Sequence, residues 1–118
     1  MTRILILGGG FAGVFTARHL EDLAVREPGI EIVLVSRDNF FLMTPFLFEA
    51  CSGTLEPRHC SIPIRAFLRR ARFIEATAEA VHFDRREATL RSQDNRRETL
   101  GYDQLVLALG ARTNDRLI

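Results

Sequence analysis

Near its amino terminus the chain sets three glycines in the order Gly8-x-Gly10-x-x-Gly13, between a short apolar run and a stretch with helical periodicity. The run over residues 3–7 is rich in Ile and Leu and is closed by Gly8, which suits a strand buried on both faces of a parallel sheet. From Phe11 onward Val14, Ala17, Leu20, Leu23 and Ala24 recur at helical spacing until Pro28-Gly29 stops the pattern. Residues 31–35 repeat the buried-strand composition, so strand, helix and strand fit into about 35 residues, the length of one right-handed βαβ unit. In that setting each glycine has its own task. Gly8 permits the tight turn out of the strand, Gly10 leaves the backbone open to a closely approaching group, and Gly13 lets the helix press on the sheet, with Ala17 continuing the contact one turn later. The first N–H groups of the helix, on Phe11, Ala12 and Gly13, have no intrahelical acceptor. Aided by a helix dipole worth about 0.3–1 kcal/mol per charge contact, they suit the pyrophosphate of a dinucleotide.

Beyond Ser36 the pattern is less regular. A Phe-rich stretch carries Phe40, Phe41, Phe46 and Phe48, then come Ser52-Gly53-Thr54, Pro57 and Pro63, and a short helix is expected over residues 64–70. Residues 72–77 read as a third strand. Residues 80–83, 88–91 and 98–100 read as strands joined by polar turns at Asp84-Arg85-Arg86 and Asp94-Asn95-Arg96, which makes an antiparallel meander. Residues 104–109 are a continuous apolar run ending at Gly110 and return to the parallel sheet. The expected fold class is therefore α/β, a Rossmann-like parallel sheet with a βαβ dinucleotide-binding unit and an inserted antiparallel β-meander. With 118 residues and 47% hydrophobic side chains the chain is within the size of one domain around one core.

Several function classes drop out. Sixteen basic against fifteen acidic residues leave a net charge of +1, so nothing favours nucleic acid or an anionic membrane as partner. All the basic residues except the histidines are Arg, and without Lys no Schiff-base chemistry is available in this stretch. Cys51 and Cys60 lack metal-ligand spacing and read as reduced thiols of a cytoplasmic protein, and His59 has no partners for a metal. No export signal follows Met1. The most apolar window, residues 39–50, contains Pro45 and Glu49 and falls short of the roughly twenty residues a spanning helix needs. Arg65, Arg69 and Arg72 lie at helical spacing and read as a solvated helix face.

The identity of the dinucleotide turns on the end of the second strand. FAD and NAD sites usually present Asp or Glu there to the adenosine ribose, whereas this chain has Ser36-Arg37, with Asp38 two residues further on. A small hydroxyl followed by Arg is also an arrangement that accepts the 2′-phosphate of NADP, so at this corner a stand-alone NADP-binding module remains as good a reading as FAD. The rest of the chain favours a flavin domain, because an NADP domain should continue with alternating helices and parallel strands rather than a meander.

Four stretches carry a family resemblance: Ile-Leu-Gly-Gly-Gly-Phe-Ala-Gly at 6–13, Ser-Arg-Asp-Asn-Phe-Phe-Leu-Met-Thr-Pro-Phe-Leu at 36–47, Ser-Gly-Thr-Leu-Glu-Pro-Arg at 52–58, and Tyr-Asp-Gln-Leu-Val-Leu-Ala-Leu-Gly-Ala at 102–111. Over essentially its whole length the chain resembles the FAD- and NAD(P)-dependent flavoproteins with two dinucleotide-binding domains, and among them the type II NADH:quinone oxidoreductases, or non-proton-pumping NADH dehydrogenases. The resemblance implies that Ser36 is an FAD ribose contact with Arg37 at the adenosine end, and that the loop of Thr44 and Pro45 runs beside the isoalloxazine ring. It further implies that the backbone at Ala78 meets the adenine and that Ala108-Leu109-Gly110 forms a second flavin turn, where Leu109 replaces the family's Thr. The redox cysteines of the disulfide reductases are separated by four residues, and the eight between Cys51 and Cys60 suit ordinary thiols instead. By the same resemblance residues 1–118 are the amino-terminal part of an FAD-binding domain. The parent would take a hydride from NADH or NADPH through a second Rossmann domain and pass electrons to a quinone, peripherally on the cytoplasmic face of a membrane. A sulfide:quinone oxidoreductase parent shares the early motifs. Cut off from its later segments, the piece is expected to be inactive and to self-associate.

Overall fold

The two aliphatic runs that bracket the glycine turn form strands because both of their faces are covered. β1 (Thr2–Leu7) and β2 (Ile30–Ser36) pair in parallel, from Thr2 opposite Ile30 to Leu7 opposite Val35, and α1 (Phe11–Arg26) crosses over between them. The computed structural model describes residues 1–42 and 61–110. The chain continues through β3 (Phe40–Leu42), β4 (Ser61–Pro63), α2 (Ile64–Phe67), β5 (Arg72–His82), β6 (Glu87–Ser92), β7 (Arg97–Gly101) and β8 (Gln104–Leu107). A six-stranded sheet has the order β7-β6-β5-β2-β1-β8, in which β5, β2, β1 and β8 are parallel and β5, β6 and β7 form an antiparallel meander. β3 and β4 make a separate antiparallel ribbon. The architecture is thus the Rossmann-like α/β sheet with an appended meander that the sequence pattern predicts.

Period-two alternation divides the core. Ile6, Ile32 and Leu34 point to the α1 side with Val14, Ala17, Phe41, Ile64 and Leu68, while Leu5, Leu7, Val33 and Val35 pack on the other side with Ala76, Ala88 and Leu90 of the meander. On the α1 side Phe15 ties the helix to β3 and α2, with ring centroids 6.2 Å from Phe41 and 5.2 Å from Phe67.

Three element boundaries and one burial pattern differ from the sequence expectation in ways that matter for the site. The strands expected over residues 72–77 and 80–83 are one strand, β5, whose register against β6 shifts between Ala78 and Ala80, so Glu79 marks a bulge inside it. The helix expected to reach residue 70 stops at Phe67, where Leu68 turns extended. Of the Arg65, Arg69 and Arg72 stripe only Arg65 is therefore helical, and its guanidinium lies 5.0 Å over the Phe73 ring. β8 ends at Leu107, after which Ala108 still donates its N–H to the Leu7 carbonyl at 2.8 Å. In α1, Leu23 of the apolar stripe faces solvent, and Glu21 is buried. The β6–β7 turn places Asn95 at φ 64° and is closed by the Ser92 hydroxyl, which donates to Asp94 and holds that carboxyl below its ordinary value.

Leu34 is fully buried at the centre of the α1-side core, and Leu34→Ala should cost about 2–5 kcal/mol through the cavity it leaves. A urea midpoint unchanged from wild type would show that this core does not carry the fold.

Candidate functional site

In the strand order, β1 has β2 on one side and β8 on the other, so the chain's progress across the sheet reverses at β1. The connections leaving the carboxyl ends of these neighbours diverge and leave a crevice, the place where open α/β sheets bind ligands. A cleft of about 500 Å³ lies there, with a floor made by Gly8, Gly9, Gly10 and Phe11 after β1 and by Ala108, Leu109 and Gly110 after β8. Its other walls come from Val35, Ser36, Arg37 and Asp38 at the end of β2, and from Ala76, Thr77 and Ala78 where β5 runs past that end; Phe40 and Phe41 complete the lining.

The four small residues of the first turn are small for different reasons. Gly8 has φ +116°, donates its N–H to the Val35 carbonyl at 2.8 Å, and would overlap the Ala108 carbonyl if it carried a Cβ. Gly13 would overlap the Gly8 carbonyl, so the first turn of α1 rests directly on the backbone that leaves β1. Gly9 faces Ser36: a methyl group there would overlap the Ser36 side chain and come within 3.0 Å of Ile64 Cδ1. Gly10 is the exception. It has ordinary extended angles, φ −79° and ψ −169°, and an added Cβ would meet nothing within 4 Å. Neither strain nor packing asks for glycine at this position, and the space it leaves open is the cleft.

Gly10 is also the N-cap of α1, and its carbonyl accepts the first helical bond, from the Val14 N–H at 3.0 Å. No side chain caps the helix and its first turn has no acidic residue, so the N–H groups of Phe11, Ala12 and Gly13 keep their partial positive charge for a ligand. Gly13 is buried; it and Ala12 shape the helix end without lining the cleft.

At the end of β2, Ser36 is 8% exposed and its Oγ accepts the Asp38 N–H at 3.3 Å. This local turn brings Arg37 and Asp38 onto the cleft beside Ser36, although the spacing alone put Asp38 too far along. Ala78, Ala108, Leu109 and Gly110 line the cleft, Leu109 with an aliphatic side chain that supplies no hydroxyl. Gly9, Val35, Ala76 and Thr77 also line the cleft and had not been singled out in the sequence. Gly9 was recognisable only as a third consecutive glycine, and Ala76 and Thr77 had no signal beyond lying in a strand. Thr44 and Pro45, with Phe46, Phe48, Cys51, His59 and Cys60, lie outside the described residues. Among the described residues no group of three or more His, Cys, Asp or Glu could hold a metal, and no helix is long and apolar enough to cross a membrane.

Comparison with known proteins agrees with this geometry. The profile of the family described as pyridine nucleotide-disulphide oxidoreductase matches residues 2–118. Demethylphylloquinone reductase NdbB of a Synechocystis species is 40% identical over 114 residues, covering 94% of this chain and 28% of that protein. The structure of Plasmodium falciparum NDH2 in complex with NADH superposes with a TM-score of 0.77 at 29% identity, over 97% of this chain and 23% of its own. The sulfide:quinone oxidoreductase of Aquifex aeolicus gives 0.77 at 27% identity, over 98% and 26%. The chain spans about a quarter of the length of each.

The contact between Gly9 and Ser36 makes a double-mutant cycle informative. Gly9→Ala should destabilise by about 1–3 kcal/mol through overpacking, and Ser36→Gly in the same chain should recover much of that loss. Strictly additive effects in thermal unfolding would mean the two residues do not share this space.

Proposed function

This chain belongs to the pyridine nucleotide-disulphide oxidoreductase family, and we propose that its cleft holds FAD, as the amino-terminal FAD-binding portion of a flavoprotein that oxidises NADH and reduces a quinone. The observation that carries the reading is Gly10: a glycine required by neither backbone nor packing, at the N-cap of α1, with open space where its side chain would be. A pyrophosphate suits that space, since it needs close backbone approach and unpaired N–H donors and no side chain.

In this reading the backbone at Gly10 and Phe11 meets the pyrophosphate, and the uncapped first turn of α1 through Ala12 and Gly13 supplies the positive end of the helix dipole behind it. Ser36, Arg37 and Asp38 face the adenosine ribose and the backbone at Ala78 faces the adenine. Ala108, Leu109 and Gly110 form the second wall of the flavin site. Bound FAD supplies the hydride- and electron-accepting chemistry, and the chain supplies position. Because the donors at the phosphates are backbone groups fixed by β1 and α1, the site is formed before the ligand arrives and loses little entropy on binding.

FAD is favoured over NADP by the meander appended to β5 and by likeness to proteins whose names state NADH or quinone. The names of relatives include both NADH and NAD(P)H enzymes, and NADH is the donor proposed. A lipid-soluble quinone as acceptor supports a peripheral position at a membrane, and the cytoplasmic face is the side proposed. A sulfide:quinone oxidoreductase is the second reading, favoured by the Aquifex aeolicus structure.

The full-length gene product should be yellow, and its Gly10→Val variant should fold but bind FAD at least about 100-fold more weakly, because the side chain fills the pyrophosphate space. A visible spectrum with no flavin bands after reconstitution would refute the cofactor, unchanged FAD affinity in the variant would refute its placement, and sulfide-driven quinone reduction without NADH oxidation would select the second reading.

The 118-residue polypeptide by itself should associate and show no NADH oxidation. Phe11, Phe40, Leu107 and Leu109 are all at least 40% exposed around the cleft and β8, and such an apolar patch tends to find a second surface. Light scattering that shows a monodisperse monomer would contradict this.

A further inference from the structure

We propose that Glu21, which takes no part in the cleft, is a positioning residue for it: its carboxylate locks the register in which β5 joins the parallel sheet. Glu21 lies on α1 and is 2% exposed. Its Oε2 accepts three successive backbone N–H groups, those of Arg69 at 2.8 Å, Arg70, and Ala71 at 2.6 Å. Its Oε1 has no hydrogen-bond partner among the described residues and faces Arg18 Nη1 at 3.6 Å. Arg18 in turn reaches Asp22 at 3.3 Å, so the guanidinium is shared along α1.

The place of these donors in the fold gives the contact its consequence. α2 ends at Phe67 after one turn, and residues 69–71 belong to neither helix nor strand. Their N–H groups, converging as a concave nest, find an acceptor in the carboxylate. The residue after Ala71 is Arg72, and it makes the first pair of β5 with β2, opposite Val33. β5 pairs with β2 over four positions only, Arg72 to Glu75 opposite Val33 to Ser36. The next three residues, Ala76, Thr77 and Ala78, line the cleft and begin the pairing with β6. A four-residue pairing specifies register weakly, and a slip of one would exchange the faces of the buried Ala76 and its neighbours Glu75 and Thr77. A carboxylate fixed to the residue that precedes the first pair removes that freedom. It also clips the end of the second crossover to α1, the first.

An acceptor is required here, and apolar bulk would not serve. Glu21→Gln turns one side-chain oxygen into a donor and removes the charge, whereas Glu21→Asp keeps the charge and shortens the reach. The test is native-state amide hydrogen exchange on the full-length gene product, with FAD and ADP affinities measured on the same samples; only the affinity arm rests on the cofactor reading. In Glu21→Gln, exchange over residues 69–75 should accelerate about tenfold or more while β1 and the first turns of α1 keep their protection. FAD and ADP should both bind about tenfold more weakly, and Glu21→Asp should fall between. Added formate should restore protection in Glu21→Ala, where formamide does not. Uniform acceleration at every amide, or unchanged exchange over 69–75, overturns the register lock. Wild-type protein that binds neither nucleotide overturns the cofactor reading instead, and leaves the exchange pattern to decide on Glu21.

Discussion

Everything at the carboxyl edge of the sheet depends on one stack of main-chain atoms. The first turn of α1 meets the Gly8 backbone where Gly13 lacks a Cβ, and Gly8 meets the Ala108 backbone where it lacks its own. Two missing methyl groups thus bring a helix, the turn after β1 and the turn after β8 closer together than side chains would allow. The approach aims the N-terminus of α1 into the crevice beside β1 and brings residues 108–110 to its other side. With larger residues at 8 or 13 the helix would stand off the sheet, and both walls of the cleft would separate.

The parallel half of the fold was legible because its elements are determined locally. β1 and β2 carry unbroken aliphatic runs at residues 4–7 and 32–35, α1 has a glycine entry and a Pro-Gly exit, and the motif joining them has few structural meanings. The misreadings share a cause, which is that the deciding contact lay far away in sequence. Residues 78–79 look like a gap between two strands, yet β6 pairs on both sides of them and the strand continues. Leu23 fits the helical stripe, yet nothing among the described residues covers it. Glu21 breaks that stripe and is buried, because three N–H groups some fifty residues away converge on it.

The candidate site shows the same division. Glycine positions announce a backbone cradle in advance, since the demand for absent side chains is written in the residues themselves. The walls are made of unremarkable residues at strand ends, and Ala76 and Thr77 acquire a role only through the parallel pairing of β5 with β2. Asp38 reaches the cleft by a turn that its neighbour Ser36 creates, an effect that a count along the chain does not contain.

The cleft also separates two kinds of evolutionary freedom. Its floor is main chain, at Gly8, Gly9, Gly10 and the turn at 108–110, while its polar rim is side chain, at Ser36, Arg37 and Asp38. Substitutions on the rim can change charge and hydrogen-bonding pattern without disturbing the floor, because the exposed Arg37 and Asp38 project from the end of β2 and carry none of the core. At Gly8 and Gly9 the floor has no such latitude, since a side chain there collides with a neighbour. Descendants of this sequence should therefore drift in which sugar or charge they prefer long before they drift in whether anything is held there at all.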